Sequence, residues 1–309
     1  MIVTVTMNPA IDKTVDIDQM VRGGLNRIIH VEMDAGGKGI NVSKTIKSLG
    51  GESLATGFLG GRSGAAIEAV LKERQIPADF VHVDGETRTN LKVVEQRGEV
   101  TELNEPGPLV TEAQLEQLLQ KLEGYAGEDT LFVLAGSIPK GVPRTIYREI
   151  TMRVHKKGAK VLMDADGELF VNGLEAHPDM IKPNRVELEA YYQLDYRASE
   201  QELVEMGRRL LSEGTKLEAI SLGQMGALFL MPDRTVKCPG LRVKAHSTVG
   251  AGDAMVAALA YSWGEKLGSE ETIRLAMATS AGAVMTIGTK PPARGVVDEL
   301  ACQVELTEI

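Results

Sequence analysis

The run Val249-Gly250-Ala251-Gly252-Asp253 sets a carboxylate beside two glycines, at the head of an apolar helix-like stretch from Ala254 to Trp263. Polar Ser247 and Thr248 lead into it. Two glycines two positions apart permit a tight turn and let a backbone approach a ligand closely. If a helix starts near Gly252, its free N–H groups form a site for an anion, above all a phosphate. Asp253 then has two readings. It is a first-turn acid whose ionised form the helix dipole favours, or it is a base for an attacking hydroxyl. An anion hole made by Gly250, Ala251 and Gly252, next to a base, is what phosphoryl transfer requires.

A second glycine cluster, Asp34-Ala35-Gly36-Gly37-Lys38-Gly39-Ile40-Asn41-Val42, surrounds one lysine. It reads either as a plain turn with a solvated charge or as backbone brought close to a ligand. Common nucleotide motifs do not fit. The third glycine of a dinucleotide fingerprint would fall on Met255, and Gly37-Lys38 is followed by Gly39 where a P-loop needs Ser or Thr.

The elements that hold these residues alternate. Short β-branched or apolar runs at Ile2–Met7, Ser53–Leu59, Phe80–Val83, Leu131–Ala135, Lys160–Met163, Met180–Ile181 and Ala219–Leu222 predict strands. Helical patterns cover about Ile40–Leu49, Ser63–Gln75, Pro143–His155, from Arg185, Ser199–Leu211, Gly252–Trp263 and Glu270–Thr286. Alternation of this kind gives a parallel sheet with helices on both faces. Asn8-Pro9-Ala10-Ile11-Asp12 reads as a turn. Asp12, Ser137, Asp164, Asn184, Gly223 and the Gly250 loop then all fall just past strand ends, the edge where such sheets bind ligands. Val15–Met33 and Thr87–Leu103 instead alternate polar and apolar residues without helical pattern, and predict a small separate sheet.

Length and composition bound the rest. The 309 residues carry a net charge of −9, which disfavours nucleic acid and anionic membrane as partners. Two cysteines, Cys238 and Cys302, suggest neither a disulfide framework nor a metal site, so a reducing cytoplasm is expected. Ile2–Met7 reads as a buried strand rather than a signal, and no apolar run approaches the roughly 20 residues of a spanning helix. The five histidines show no ligand spacing.

From Thr6 to Gly288 the chain resembles the pfkB (ribokinase-like) carbohydrate kinases. The likeness is carried by Asn8-Pro9-Ala10-Ile11-Asp12, the Gly36–Asn41 segment, Gly136-Ser137-Ile138-Pro139, Lys182-Pro183-Asn184-Arg185-Val186-Glu187, Ser221-Leu222-Gly223 with Gly226, and Val249–Asp253. Thr87-Arg88-Thr89-Asn90 points to the phosphosugar branch, the 1-phosphofructokinases with tagatose-6-phosphate kinases as relatives. The resemblance implies one α/β domain over 1–309. It implies a central, mostly parallel sheet with helices on both faces and a small β-sheet lid from about 12–35 and 87–105. It implies ATP and Mg2+, no nucleic acid or membrane, and a homodimer joined through the lid. The implied activity is ATP-dependent phosphorylation of fructose 1-phosphate at the C6 hydroxyl. The alternatives are tagatose 6-phosphate or fructose 6-phosphate as substrate, or a non-catalytic sugar-phosphate sensor.

Residue by residue, Asp253 matches the family's catalytic base and Gly250–Gly252 its anion hole. Asp12, Gly37, Asn41 and Ser137 match sugar positions. Lys38 and Arg88 match the cations on the substrate phosphate, with Arg27 as a further candidate from a partner subunit. Lys182, Ser221, Gly223 and Gly226 match nucleotide positions. Asn184 and Glu187 match an Asn-x-x-Glu element near magnesium, and are equally a helix cap with an acid at its third position. Asp164 is a further water-mediated metal candidate. Ser280 stands where many relatives carry Asn near adenine, so that contact is not carried over.

Overall fold

The computed structural model describes every residue except Ser247, so the first polar position before the Val249–Asp253 run lies outside the described residues. In chain order the strands are β1 (Ile2–Thr6), β2 (Ala10–Ile17), β3 (His30–Gly36), β4 (Leu54–Leu59), β5 (Val81–His82), β6 (Arg88–Glu95), β7 (Val100–Asn104), β8 (Leu131–Ala135), β9 (Lys160–Asp164), β10 (Met180–Ile181), β11 (Leu217–Ser221), β12 (Ala227–Leu230), β13 (Thr235–Cys238) and β14 (Thr307–Glu308). The helices are α1 (Lys38–Ser48), α2 (Gly61–Glu73), α3 (Glu112–Tyr125), α4 (Ile146–His155), α5 (Gly167–Leu174), α6 (Arg185–Tyr191), α7 (Glu200–Ser212), α8 (Ala251–Gly264), α9 (Ser269–Val284) and α10 (Arg294–Ala301).

The larger sheet runs β14-β13-β12-β11-β10-β9-β8-β1-β4-β5. Pairing is parallel from β5 to β11 and antiparallel from β11 to β14. Side chains alternate across it, as the strand period of two demands. Val3, Val5, Phe132 and Leu134 pack with α3 to α7, whereas Ile2, Leu131 and Val133 pack with α1, α8, α9 and α10. From β1 the chain goes one way to β4 and β5, then returns to β8 on the other side. That reversal is a topological switch point, where doubly wound sheets open a crevice beyond their strand ends.

Helix α8 has almost no polar face: Ala254 to Ala260 are all buried. Such a helix must be covered all round, and the four alanines from Ala254 to Ala260 allow close packing between the sheet, α1 and α9. Its N-terminus is therefore fixed.

The second sheet has the order β3-β2-β6-β7. Here the expected turn at Asn8–Asp12 gives way to a strand, because Ala10 already opens β2. Its alternation explains this: Val15 and Ile17 bury on one face with Val93, while Asp12, Thr14 and Asp16 take the other. Asp12 accordingly stands within the second sheet rather than past an end of the first. Helices α3, α5 and α10 and strands β13 and β14 were not read from the sequence, although α3 carries a full capping box between Thr111 and Gln114. No helix among the described residues is long and apolar enough to cross a membrane.

Candidate active site

Gly250 adopts φ 84°, the left-handed conformation that glycine takes without strain, and caps α8. The first backbone N–H groups of the helix are thus turned outward at a fixed N-terminus. Asp253 lies buried in that first turn, and its Oδ2 accepts from Nδ2 of Asn41 at 2.9 Å. Asn41 comes from α1, whose start is set by Gly37 at φ 107°. A Cβ there would meet Thr6 Cγ2 at 2.7 Å and Pro9 Cα at 3.0 Å, so the turn closes only on glycine.

Beside Asp253, the C-terminal residue of β9 joins two lysines. Asp164 is 2% exposed, with Lys38 Nζ at 3.3 Å and Lys182 Nζ at 3.2 Å. Lys182 also lines the anion hole, since a Cβ on Gly252 would sit 3.4 Å from its Nζ. Burial works to raise the Asp164 pKa, but Lys182 and Lys38 outweigh it and hold the carboxyl below its usual range. Burial likewise opposes the charge on Lys38. Asp164 first, then Asp253, Glu187 and Asp166, keep its ammonium above the usual lysine range.

For Asp253 the balance differs from the sequence expectation that a helix N-terminus would favour its ionised form. Burial, then the negative charge of Asp164, push its carboxyl up to about 6, while Lys38, Asn41 and Lys182 pull the other way. Desolvation dominates here because the side chain is enclosed rather than surface-exposed.

The Asn184–Glu187 pair forms a reciprocal cap on α6. Asn184 Oδ1 accepts the Glu187 N–H at 2.9 Å and Glu187 Oε2 accepts the Asn184 N–H at 2.8 Å. Burial raises the Glu187 pKa despite that bond. Among the described residues no three His, Cys, Asp or Glu side chains cluster as a metal site, and Asp164 is committed to its lysines.

The nucleotide candidates surround a cavity of about 600 Å³. Ser221, Gly223 and Gly226 form one end, Ala251 and Gly252 another, and Met255, Met277 and Val284 supply an apolar wall. Gly226 is required by contact: a Cβ there would lie 1.9 Å from the Cys238 carbonyl oxygen. Ser280 also lines this cavity. The methionine wall escaped the sequence reading because its residues come from two helices whose pattern speaks only of burial.

On the facing side, Arg88 donates from Nε to the Asn8 carbonyl at 3.2 Å, from Nη1 to the Glu105 carbonyl at 3.2 Å, and reaches Ser137 Oγ from Nη2 at 3.5 Å. Asp12 Oδ1 accepts from Asn90 Nδ2 at 3.1 Å. Its other oxygen lies against Gly36, where a Cβ would come within 2.3 Å. Gly36 leads directly to Gly37 and Lys38, which joins this half of the site to the Asp253 half. Arg27 is exposed on the connection from β2 to β3.

A carboxylate at a helix N-terminus, a pair of lysines, a half-apolar cavity and the polar face of the second sheet are thus gathered by one doubly wound sheet. The pfkB family carbohydrate kinase model matches residues 5–294. Over its full length the chain is 33% identical to a D-tagatose-1-phosphate kinase of Bacillus licheniformis, covering 100% of both proteins. It is 39% identical over 265 residues to a 1-phosphofructokinase of Xanthomonas campestris, covering 84% of this chain and 82% of that one. Phosphofructokinase-2 of Escherichia coli in complex with substrates and products superposes with a TM-score of 0.93 at 27% identity, covering 98% of each chain. A ribokinase of Thermotoga maritima, at 22% identity and TM-score 0.78, shares the fold, covering 97% of this chain and 98% of that one. The chain belongs to the pfkB family of carbohydrate kinases, ATP-dependent phosphotransferases of ribokinase-like fold.

Proposed function

We propose that the protein phosphorylates D-fructose 1-phosphate at its C6 hydroxyl, using ATP, to give fructose 1,6-bisphosphate. The observation that carries this is the buried Asp253–Asn41 pair at the mouth of the α8 anion hole, with Arg88 and Ser137 on the opposite wall. An acceptor held at both ends needs a base at one and a cation at the other. Asp253 takes the proton of the attacking hydroxyl, which raises its nucleophilicity as the P–O bond forms. The N–H groups at Gly250–Gly252, with Lys182 and Lys38, take up the charge on the moving phosphoryl group. Asp164 keeps the two ammoniums aimed there. Arg88 holds the 1-phosphate by charge-assisted hydrogen bonds. Asp12, Gly37 and Asn41 hold the sugar, and the cavity from Ser221 to Gly226 takes the nucleotide.

Mg2+ fits as a cation that arrives on the triphosphate, because among the described residues the site offers one uncommitted carboxylate oxygen on Glu187 and no three-acid cage. Glu187 and Asn184 would hold it through water, and it would neutralise phosphate charge. Asp164, taken from sequence as a metal candidate, is better suited to orient the lysines.

The second sheet acts as the lid and as the dimer surface. Its outer side exposes Val31, Met33 and Leu103, and the adjoining connection exposes Leu25, Ile28 and Ile29. Such a two-faced small sheet is marginal alone and is stabilised when a second copy covers the apolar side. Arg27 on that connection then faces a partner's site. A solved relative is described as the tetrameric inhibited form of phosphofructokinase-2, so assembly beyond the dimer occurs among its structural neighbours.

Tagatose 1-phosphate is the second reading, favoured by the relative of that activity that matches over the full chain. A coupled ADP-release assay with ATP across fructose 1-phosphate, tagatose 1-phosphate, tagatose 6-phosphate and fructose 6-phosphate tests all of these. Highest kcat/KM with fructose 1-phosphate supports the first reading. No ADP release with any of them rejects the kinase assignment.

A further inference from the structure

The strand that supplies Arg88 carries a second cation to which neither the motifs nor the mechanism above gives a task. Register places Asn90 opposite Asp12 and Lys92 opposite Thr14. Arg88, Asn90 and Lys92 therefore share one face of the second sheet, and Leu91 and Val93 turn to the apolar face with Val15 and Ile17.

Lys92 is only 8% exposed. Its ammonium lies 3.8 Å from Asp12 Oδ2, an ion-pair contact too long for a hydrogen bond, and it makes no hydrogen bond among the described residues. An ammonium has three donors, and on a side chain this enclosed none of them meets a protein acceptor at hydrogen-bond distance among the described residues. A second group on the same face is also incomplete. Asn90 gives its amide N–H to Asp12, but its Oδ1 is buried without a partner. Asn41 Oδ1, across the site, is in the same condition. Buried polar atoms are ordinarily paired, so the unspent groups of Asn90 and Lys92 beside Asp12, with that of Asn41 beside Asp253, mark where a polar ligand completes them.

We propose that Lys92 touches the sugar and helps to set its specificity: Asp12 accepts from one hydroxyl while the Lys92 ammonium donates to the neighbouring oxygen. A vicinal diol offers that alternation at the spacing of a carboxylate and an ammonium held 3.8 Å apart. The pair thereby reads the relative configuration of two adjacent ring or chain carbons, which a phosphate-binding arginine does not sense. This rests on the sugar-phosphate kinase reading given above.

The test is steady-state kinetics of the full chain and its Lys92→Gln and Lys92→Arg variants, with fructose 1-phosphate and its C4 epimer tagatose 1-phosphate. Lys92→Gln should raise the sugar KM about tenfold or more and leave the ATP KM unchanged. It should also shift the ratio of kcat/KM between the epimers, and Lys92→Arg should recover part of both effects. Sugar KM values and an epimer ratio within about twofold of wild type would overturn the proposal. If Lys92→Gln does not fold, Lys92→Arg decides alone: its planar fork cannot reproduce the ammonium geometry, so a sugar KM equal to wild type counts against the role. A wild-type protein inactive on every ketohexose phosphate would instead reject the kinase reading, and this inference with it.

Discussion

Asn41 Nδ2 donates to Asp253 Oδ2 at 2.9 Å, joining the first turn of one helix to the first turn of another across 212 positions of sequence. The bond holds the carboxylate in one orientation at the anion hole. It also favours the ionised form of an acid that burial would otherwise neutralise. Orientation and charge of the proposed base therefore depend on a residue from the other glycine cluster.

Replacing the base is the most direct consequence. Asp253→Asn keeps shape and removes basicity, and kcat should fall by about 10²–10⁴ with ATP binding retained. Because the folded carboxyl titrates at about 6 against an ordinary 3.8, the folded state holds its proton more tightly than the unfolded one. Stability is then lost as pH rises through that window. Asp253→Asn should accordingly show a higher Tm than wild type at pH 7, measured by scanning calorimetry. A fall in kcat of less than about fivefold with folding intact would return Asp253 to the role of a helix-start acid.

The same carboxyl sets a pH dependence. It must be ionised to accept a proton, so kcat/KM should rise with pH through about 6 and level off above it. Wild-type profiles at saturating ATP check this. An acid limb centred near 4 would mean that the base is a less enclosed group.

Arg88 meets two backbone carbonyls and Ser137. Arg88→Ala should raise the sugar-phosphate KM about tenfold or more and leave the ATP KM near its wild-type value. Equal changes in both would place Arg88 in the scaffold.

A buried acid outside the site gives a test of stability alone. Glu218 is 0% exposed, both its carboxylate oxygens lack partners among the described residues, and burial pushes it up to about 8. It fits because Gly207 of α7 has no Cβ, which would lie 2.5 Å from Oε2. The folded protein keeps this proton where the unfolded chain has lost it, so stability should fall between about pH 4.5 and 8. Glu218→Gln should flatten the decline of Tm across that range. An unchanged slope would show that the carboxylate finds water or a cation.

The apolar outer side of the second sheet predicts a dimer at micromolar concentration by light scattering. Met33→Asp should shift it to monomer, since a charge at a 63% exposed apolar position opposes its burial against a second copy. A wild-type monomer would remove the dimer and leave the kinase reading untouched.

Much of the site was legible because its residues sit where backbone geometry restricts the choice. Gly37, Gly226 and Gly250 mark turns with positive φ, Asp164 ends a strand of evident apolar character, and Ser137 and Asn184 follow two others. Asp12 was found but placed on a turn, because Asn8-Pro9 masks the alternation that begins at Ala10. The enclosure of Lys92 was not legible, since a lysine in an alternating strand reads as a solvated face. Its burial arises from a sheet pairing between β2 and β6, segments some seventy positions apart. The Asp164 lysine clamp was hidden for a similar reason: three strand and helix ends meet there, and no local pattern reports which neighbours a buried charge will acquire.

The second sheet is assembled from two excursions of the chain, one between β1 and α1 and one between β5 and α3, stitched together by the parallel β2–β6 pair. Each excursion is only a two-stranded antiparallel ribbon, marginal alone, until the main sheet has brought their roots together. Joined only through these roots, the second sheet is expected to open before the main one. In amide hydrogen exchange its strands should behave as a separate cooperative unit, exchanging through openings that leave β1, β8 and α8 protected.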